Sequence, residues 1–122
     1  MYEIYVTTRV SAAHHLREYE GNCRNQHGHN WMIKTFIRCE ELNELEMGID
    51  FIVLKEAVSR VCDDLDHVDL NRVPYFQEHN PTSESMARYL YDEIGGIINN
   101  ERVSISRVEV EETPGHGASY WE

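Results

Sequence analysis

Apolar and polar residues alternate along the first stretch of the chain. Tyr2, Ile4, Val6 and Val10 fall on one parity, while Glu3, Thr7, Arg9 and Ser11 fall on the other. A period of two predicts a strand over residues 2–13 with one buried face. Residues 16–26 are mostly polar, with Gly21-Asn22 as a turn signal, a longer stretch than a tight hairpin needs. A second strand is predicted over 27–39, where Trp31, Ile33, Thr35 and Ile37 alternate in phase with His27 and His29. After an acidic connector ending at Gly48, Asp50 is a candidate N-cap. Phe51, Leu54, Val58, Val61 and Leu65 then step by three and four, which predicts an amphipathic helix ending near Asp66-His67. Residues 68–81, with Pro74 and Pro81, read as a loop. Thr82 is the next N-cap candidate, Met86, Leu90 and Ile94 form a second apolar stripe, and Gly95-Gly96 reads as its stop. Val103 to Glu112 predicts a third strand whose apolar parity changes between Ile105 and Val108, as a bulge or a doubly covered strand requires. A turn at 114–117 and a short strand from Ala118 to Trp121 close the chain.

The order ββααββ predicts an α+β fold: a four-stranded antiparallel sheet with two helices on one face. The uncovered face and open sheet edges then call for oligomerisation. A chain of 122 residues fits one domain, 1–122, and 41% hydrophobic with 27% charged residues is ordinary for a globular protein. No apolar run reaches the roughly 20 residues of a membrane span, and the first residues alternate like a strand rather than a signal peptide, so a cytoplasmic address is expected. A formal charge of -11 opposes nucleic-acid binding but leaves a small anionic substrate open. Cys23, Cys39 and Cys62 are odd in number and scattered, a poor disulfide framework.

The chemistry centres on Cys23-Arg24-Asn25-Gln26-His27-Gly28-His29. Residues two apart on a strand share a face, so His27 and His29 can converge on one ion. Antiparallel pairing brings in His14, whose parity is that of Val10 and Ala12; His15 points the other way. Three neutral imidazoles suit Zn2+ and leave one position open. Cys23 is either the fourth ligand of a closed structural site or a free base or nucleophile; the residues alone divide evenly between these. Cys39 and Cys62 read as packing thiols, and His79 and His116 as surface residues. Asp66-His67 reads first as a helix end with a cation at its negative pole, and second as a carboxylate-oriented proton carrier. Of the acids Glu109, Glu111 and Glu112, most read as solvated surface; Glu112 stands at a strand-to-turn junction from which a carboxylate can reach a pocket and accept two parallel hydrogen bonds from an amino-substituted heterocycle.

Ala12-Ala13-His14, Cys23-x-x-x-His27-Gly28-His29, Asp50-Phe51, Leu65-Asp66-His67, Leu70-Asn71, Asn80-Pro81-Thr82-Ser83-Glu84 and Glu112-Thr113 occur in one order. Together they resemble the 6-pyruvoyltetrahydropterin and 6-carboxytetrahydropterin synthase superfamily across nearly the whole chain. The resemblance implies the tunnelling fold, with strands forming a barrel in a trimer, two trimers stacking as a hexamer, and sites between subunits. It implies that His14, His27 and His29 hold zinc, that Cys23 accepts a proton, and that His67 with Asp66 completes a relay. Glu112 would anchor the pterin and count with the catalytic group, and Thr82, Ser83 and Glu84 would line the pterin pocket. Three residues between the thiol and the first histidine resemble the bacterial carboxy-forming members. That similarity implies conversion of 7,8-dihydroneopterin triphosphate to 6-carboxy-5,6,7,8-tetrahydropterin, acetaldehyde and triphosphate, on the route to queuosine and other 7-deazaguanines. The alternatives are 6-pyruvoyltetrahydropterin formation or a related pterin side-chain lyase yielding a dihydropterin, and a non-catalytic zinc-stabilised binding module with Cys23 as fourth ligand. His15 departs from the family, where many members carry arginine; Arg9, Arg17, Arg24 and Lys34 are nearby candidates to compensate.

Overall fold

Two strands of equal length, β1 (Tyr2–His14) and β2 (His27–Cys39), pair antiparallel without a break from Tyr2↔Cys39 to His14↔His27. The structure is a computed structural model and describes residues 1–19, 21 and 25–122. Even positions of β1 and odd positions of β2 face the core, so Val6, Val10, Ala12 and His14 lie on the same buried face as Trp31, Ile33, Thr35 and Ile37. The remaining elements are α1 (Phe51–Cys62), β3 (Val68–Asp69), α2 (Pro74–Glu78), α3 (Ser83–Ile98), β4 (Val103–Thr113) and β5 (His116–Tyr120).

The sheet differs from the four antiparallel strands expected. It has five strands in the order β3-β1-β2-β4-β5, and β3 runs parallel to β1 through Ala12↔Val68 and Ala13↔Asp69. Two residues are too short a strand to leave a periodic signal. The sheet of the single chain is open, so the barrel is not formed within it. The presumed loop 68–81 also holds a 3-10 turn at Leu70–Arg72 and the helix α2, which starts on Pro74, where the missing N–H goes unneeded, and buries Phe76.

The two amphipathic helices form as the periodicity predicts, with corrections at their ends. Asp50 caps α1 by accepting the Ile52 N–H at 2.8 Å, and Leu54, Ala57, Val58, Val61 and Cys62 are buried. Phe51, counted in the apolar stripe, is 59% exposed, and α1 ends at Cys62 rather than near Asp66. Thr82 caps α3 through its side chain and the Ser85 N–H at 3.1 Å. Gly95 and Gly96 do not stop α3, which runs on to Ile98. Gly95 serves close packing instead: a Cβ there would stand 3.1 Å from Ile105 Cγ2. The stop is Asn99, whose side chain accepts the Ile105 N–H at 2.7 Å.

The expected irregularity of the third strand is present and has a consequence for the site. Phe36 pairs with Arg107 and Ile37 with Ile105, so Ser106 is one residue too many in β4. Val103 and Ile105 before the bulge, and Val108 and Val110 after it, therefore all face the core. Glu112 follows on that same parity. A second bulge skips Glu112 itself, because Glu111 pairs with Gly117 and Thr113 with His116. Gly117 allows this crossing; a Cβ there would run into the Val110 carbonyl oxygen.

One core residue lacks a partner. Thr35 is wholly buried among apolar side chains and its hydroxyl makes no hydrogen bond. Replacing that hydroxyl by a methyl removes an unsatisfied polar group at constant shape. Thr35→Val is expected to raise the free energy of unfolding by roughly 1 kcal/mol, read from urea denaturation midpoints; a destabilised variant would contradict this account of the position.

Candidate metal centre and active site

Strand alternation and the β1–β2 register place three imidazoles at one end of the buried sheet face. His14 is 1% exposed, and its Nε2 lies 3.1 Å from His27 Nε2. The ring centroids of His14 and His29 are 5.1 Å apart, and those of His27 and His29 are 4.6 Å apart. Trp31 forms the floor, edge-on to His14 and His29, with its indole N–H donating to the Ala12 carbonyl. The strands supply the spacing; the buried indole fixes the tilt of the rings.

The hydrogen bonds of the rings decide what the cluster can hold. His14 Nδ1 is 2.7 Å from the Pro81 carbonyl, and His27 Nδ1 is 2.6 Å from that of Asn25. A carbonyl only accepts, so each Nδ1 carries the proton and each neutral ring turns a lone pair outward at Nε2. With both rings neutral, two lone pairs face each other at 3.1 Å, and a shared cation satisfies both. Burial lowers the pKa of His14 and His29, in both cases as the largest effect, which favours the neutral, ligating form. His29 Nε2 is buried and without a hydrogen-bond partner. Glu112 Oε1 completes the group, and the four ligand atoms all lie within 4.8 Å of one another. These residues fit a single divalent ion.

The second expected group is assembled differently. Asp66 and His67 lie beyond the end of α1, so the imidazole does not cap that helix. Asp66 Oδ2 is 3.0 Å from His67 Nδ1, while Oδ1 accepts the Ser11 N–H at 2.8 Å. That backbone bond is the first cause, and His67 the partner cause, of an Asp66 carboxyl held below the usual range. His67 takes a left-handed φ of 58°, and its N–H donates to the Ser11 carbonyl, which turns the chain from α1 into the parallel strand β3. His67 and His29 line one depression of about 520 Å³. Its wall includes Ser11, Ala13, Gly28 and Asn30, which alternate with the ligands along the strands. Of the three clustered histidines, His29 lines this depression.

Other expected residues separate. Cys23 lies outside the described residues. Cys39 and Cys62 are buried packing thiols, and burial pushes the Cys62 thiol up to about 12. Thr82 spends its hydroxyl on the α3 cap, Ser83 is buried and Glu84 is exposed in the first turn. His15 is on the opposite parity as expected, and His79 and His116 are exposed.

Residue-type reasoning missed the parts that hold β1 in place. Asn71 accepts the His15 N–H at 2.9 Å and donates to the His15 carbonyl at 3.0 Å. Asn80 does the same to Arg17, at 3.0 Å both ways. The two carboxamides thereby continue the parallel pairing of β3 past the end of the strand, and Pro81, next to Asn80, fixes the His14 tautomer. Asn80-Pro81 stood in the sequence only as part of a motif.

An α+β sheet ending in a three-histidine, one-carboxylate centre defines a candidate metalloenzyme, and comparison with known proteins gives its family. The 6-pyruvoyl tetrahydropterin synthase profile matches residues 3–122. The chain belongs to that family of pterin lyases. A putative 6-pyruvoyl tetrahydrobiopterin synthase of Caenorhabditis elegans is 33% identical, over 90% of this chain and 87% of the worm protein. A 6-carboxy-5,6,7,8-tetrahydropterin synthase of Synechocystis sp. is 32% identical, over 99% and 94%. The solved structure of the Caenorhabditis elegans 6-pyruvoyl tetrahydropterin synthase superposes with a TM-score of 0.90 at 29% identity, over 99% of this chain and 95% of that one.

Asn80→Ala leaves every ligand in place but frees the end of β1. By loosening the Pro81 carbonyl on His14 it is expected to weaken divalent-ion binding by about tenfold, in competition with a chelator. Affinity equal to that of the wild type would show that the clamp does not act on His14.

Proposed function

We propose that the protein is a zinc-dependent lyase that converts 7,8-dihydroneopterin triphosphate to 6-carboxy-5,6,7,8-tetrahydropterin, acetaldehyde and triphosphate. The observation that carries this reading is the convergence of three imidazole nitrogens, two with their Nδ1 positions bonded to carbonyls, with Cys23 four residues before His27 in the sequence. Three imidazoles with little sulfur or carbonyl competition favour zinc over harder or softer ions. Bound there, zinc supplies Lewis acidity toward an oxygen of the substrate side chain.

The protein residues take the proton transfers and the positioning. Cys23, as thiolate, accepts a proton from a side-chain carbon. Asp66 accepts the His67 Nδ1–H, which leaves Nε2 free to receive and return a proton. Glu112 accepts two N–H bonds from the pterin ring. Thr82, Ser83 and Glu84 contribute the adjoining wall of the pterin pocket through the start of α3. The open sheet, with β5 and most of β1 unpaired on one side, supports closure by further copies into trimers and a dimer of trimers, with sites between subunits. A cytoplasmic location on the route to 7-deazaguanines such as queuosine goes with this activity; among the described residues no helix is long and apolar enough to cross a membrane.

The three-residue gap between Cys23 and His27 and the Synechocystis relative support the carboxy-forming reaction. The likeness to the Caenorhabditis elegans protein favours a second reading, 6-pyruvoyltetrahydropterin formation. Incubation of the zinc-loaded protein with 7,8-dihydroneopterin triphosphate, followed by mass spectrometry, separates them. The expected products are 6-carboxytetrahydropterin with acetaldehyde; 6-pyruvoyltetrahydropterin would decide for the second reading.

The role of Cys23 has its own test. Cys62 stays protonated at pH 8 and Cys39 is buried, so iodoacetamide is expected to label Cys23 first, one label per chain, with loss of turnover and retention of zinc. Labelling only after zinc removal would instead identify Cys23 as a ligand of a structural site.

A further inference from the structure

His79 reads from the sequence as a surface residue, and it is exposed. Its ring nevertheless lies flat on Tyr75, with the centroids 4.3 Å apart and the planes 17° from parallel. We infer that this stack is the outermost support of the metal centre, and that His79 is a positioning residue for His14. It acts through Asn80 and Pro81 and touches neither ion nor substrate. The inference rests on the histidine cluster binding a divalent ion, and not on which reaction the chain catalyses.

The helix that carries Tyr75 cannot hold itself in place. α2 has five residues, far below the roughly 12–15 at which a helix persists alone. No side chain caps its start, where Val73 precedes Pro74. Aromatic side chains anchor it instead. Phe76 is wholly buried, and Tyr75 meets it edge-on at 5.1 Å. Tyr89 of α3 packs on both, at 5.0 Å from Tyr75 and 5.5 Å from Phe76. This nest of rings ties α2 to α3. His79, four residues after Tyr75, adds one more ring at the point where the chain leaves the helix.

The residues that follow are the support of His14. The backbone of His79 is extended, and the carboxamide of Asn80 grips the backbone of Arg17. Pro81 is buried and its carbonyl accepts from His14 Nδ1 at 2.7 Å. The Thr82 N–H turns back to the Asn80 carbonyl at 2.8 Å, while the Thr82 hydroxyl caps α3. The carbonyl that meets His14 is therefore held from behind by the start of α3 and from in front by residues 79 and 80. Proline fixes its own φ, so the aim of its carbonyl follows the direction from which the chain enters the turn. The stack sets that direction, and too little chain separates it from Pro81 to absorb a shift.

Among the described residues the His79 ring makes no hydrogen bond or ion pair, so the contact with Tyr75 accounts for its placement. A flat ring is what the position uses, and a phenyl group has the same face.

The test uses the full-length protein, metal-free or loaded with Co(II) alone. His79→Ala removes the stack, His79→Phe keeps a flat ring, and His29→Ala is the ligand-loss reference. His79→Ala is expected to bind Co(II) roughly threefold to tenfold more weakly, at or below the low end of what loss of a ligand's hydrogen-bonded partner costs. His79→Phe is expected to restore the wild-type affinity. In the metal-free protein the His14 Nδ1–H, held on the Pro81 carbonyl, gives a downfield proton resonance that is assigned by its loss in His14→Ala. It is expected to broaden in His79→Ala and to stay sharp in His79→Phe, with equal thermal midpoints throughout. Unchanged Co(II) affinity and an unchanged resonance in His79→Ala overturn the inference. A loss in His79→Phe as large as that in His79→Ala also overturns it, because the imidazole nitrogens and not the stack would then matter. So does a fall in affinity matched by a fall in the metal-free thermal midpoint, which marks a general loss of stability. Wild type that binds Co(II) no better than His29→Ala overturns the metal reading and the inference with it; the resonance separates that failure from a failure of the stack alone.

Discussion

The antiparallel register that ends at His14↔His27 is the constraint from which the rest of the site follows. Side chains on a strand alternate, so one rung of slip would carry every histidine to the opposite face of the sheet. The register is held from within by the buried row Val6, Val10, Trp31, Ile33 and Ile37, where a slip would expose the core. It is held from the edge by the parallel pairing of β3 and by the carboxamides of Asn71 and Asn80. Hydrophobic burial thus provides the force and two asparagines the last adjustment. The metal centre forms where that buried row meets the end of the sheet.

Much of this was legible in the chain. The two-residue period placed β1 and β2, the three-and-four spacing placed α1 and α3, and parity alone chose His14 over His15 as the third imidazole. The parity break in β4 was visible too, between Ile105 and Val108, but its meaning was not. Only the pairing shows that Ser106 is the extra residue and that it returns Glu112 to the face of the histidines. Without that bulge Glu112 would lie on the far side of the sheet, with Glu111 in its place.

What was illegible falls into two physical kinds. Short elements such as β3 and α2 carry no period, since two to five residues cannot express one. Glycines carry no label for their purpose: Gly95-Gly96 reads as a stop, yet α3 passes through because Gly95 makes room for Ile105. Hydrogen bonds from side chain to backbone, such as those of Asn71 and Asn80, depend on distant segments meeting and have no local signature. The family resemblance named those residues without saying what they do.

The centre also shows how an acidic chain can carry a site of different local charge. The whole carries a formal charge of -11, yet the site gathers three imidazoles with Glu112 as the one carboxylate of the cluster. Local charge, rather than the net value, decides what enters. The account therefore turns on which atoms surround the ion. X-ray absorption at the zinc edge of the loaded, pterin-free protein measures this directly. Nitrogen and oxygen scatterers alone, at about 2.0–2.1 Å with the outer-shell pattern of three imidazoles, are the predicted result. A sulfur scatterer near 2.3 Å would contradict it, because Cys23 would then be a ligand and not a base.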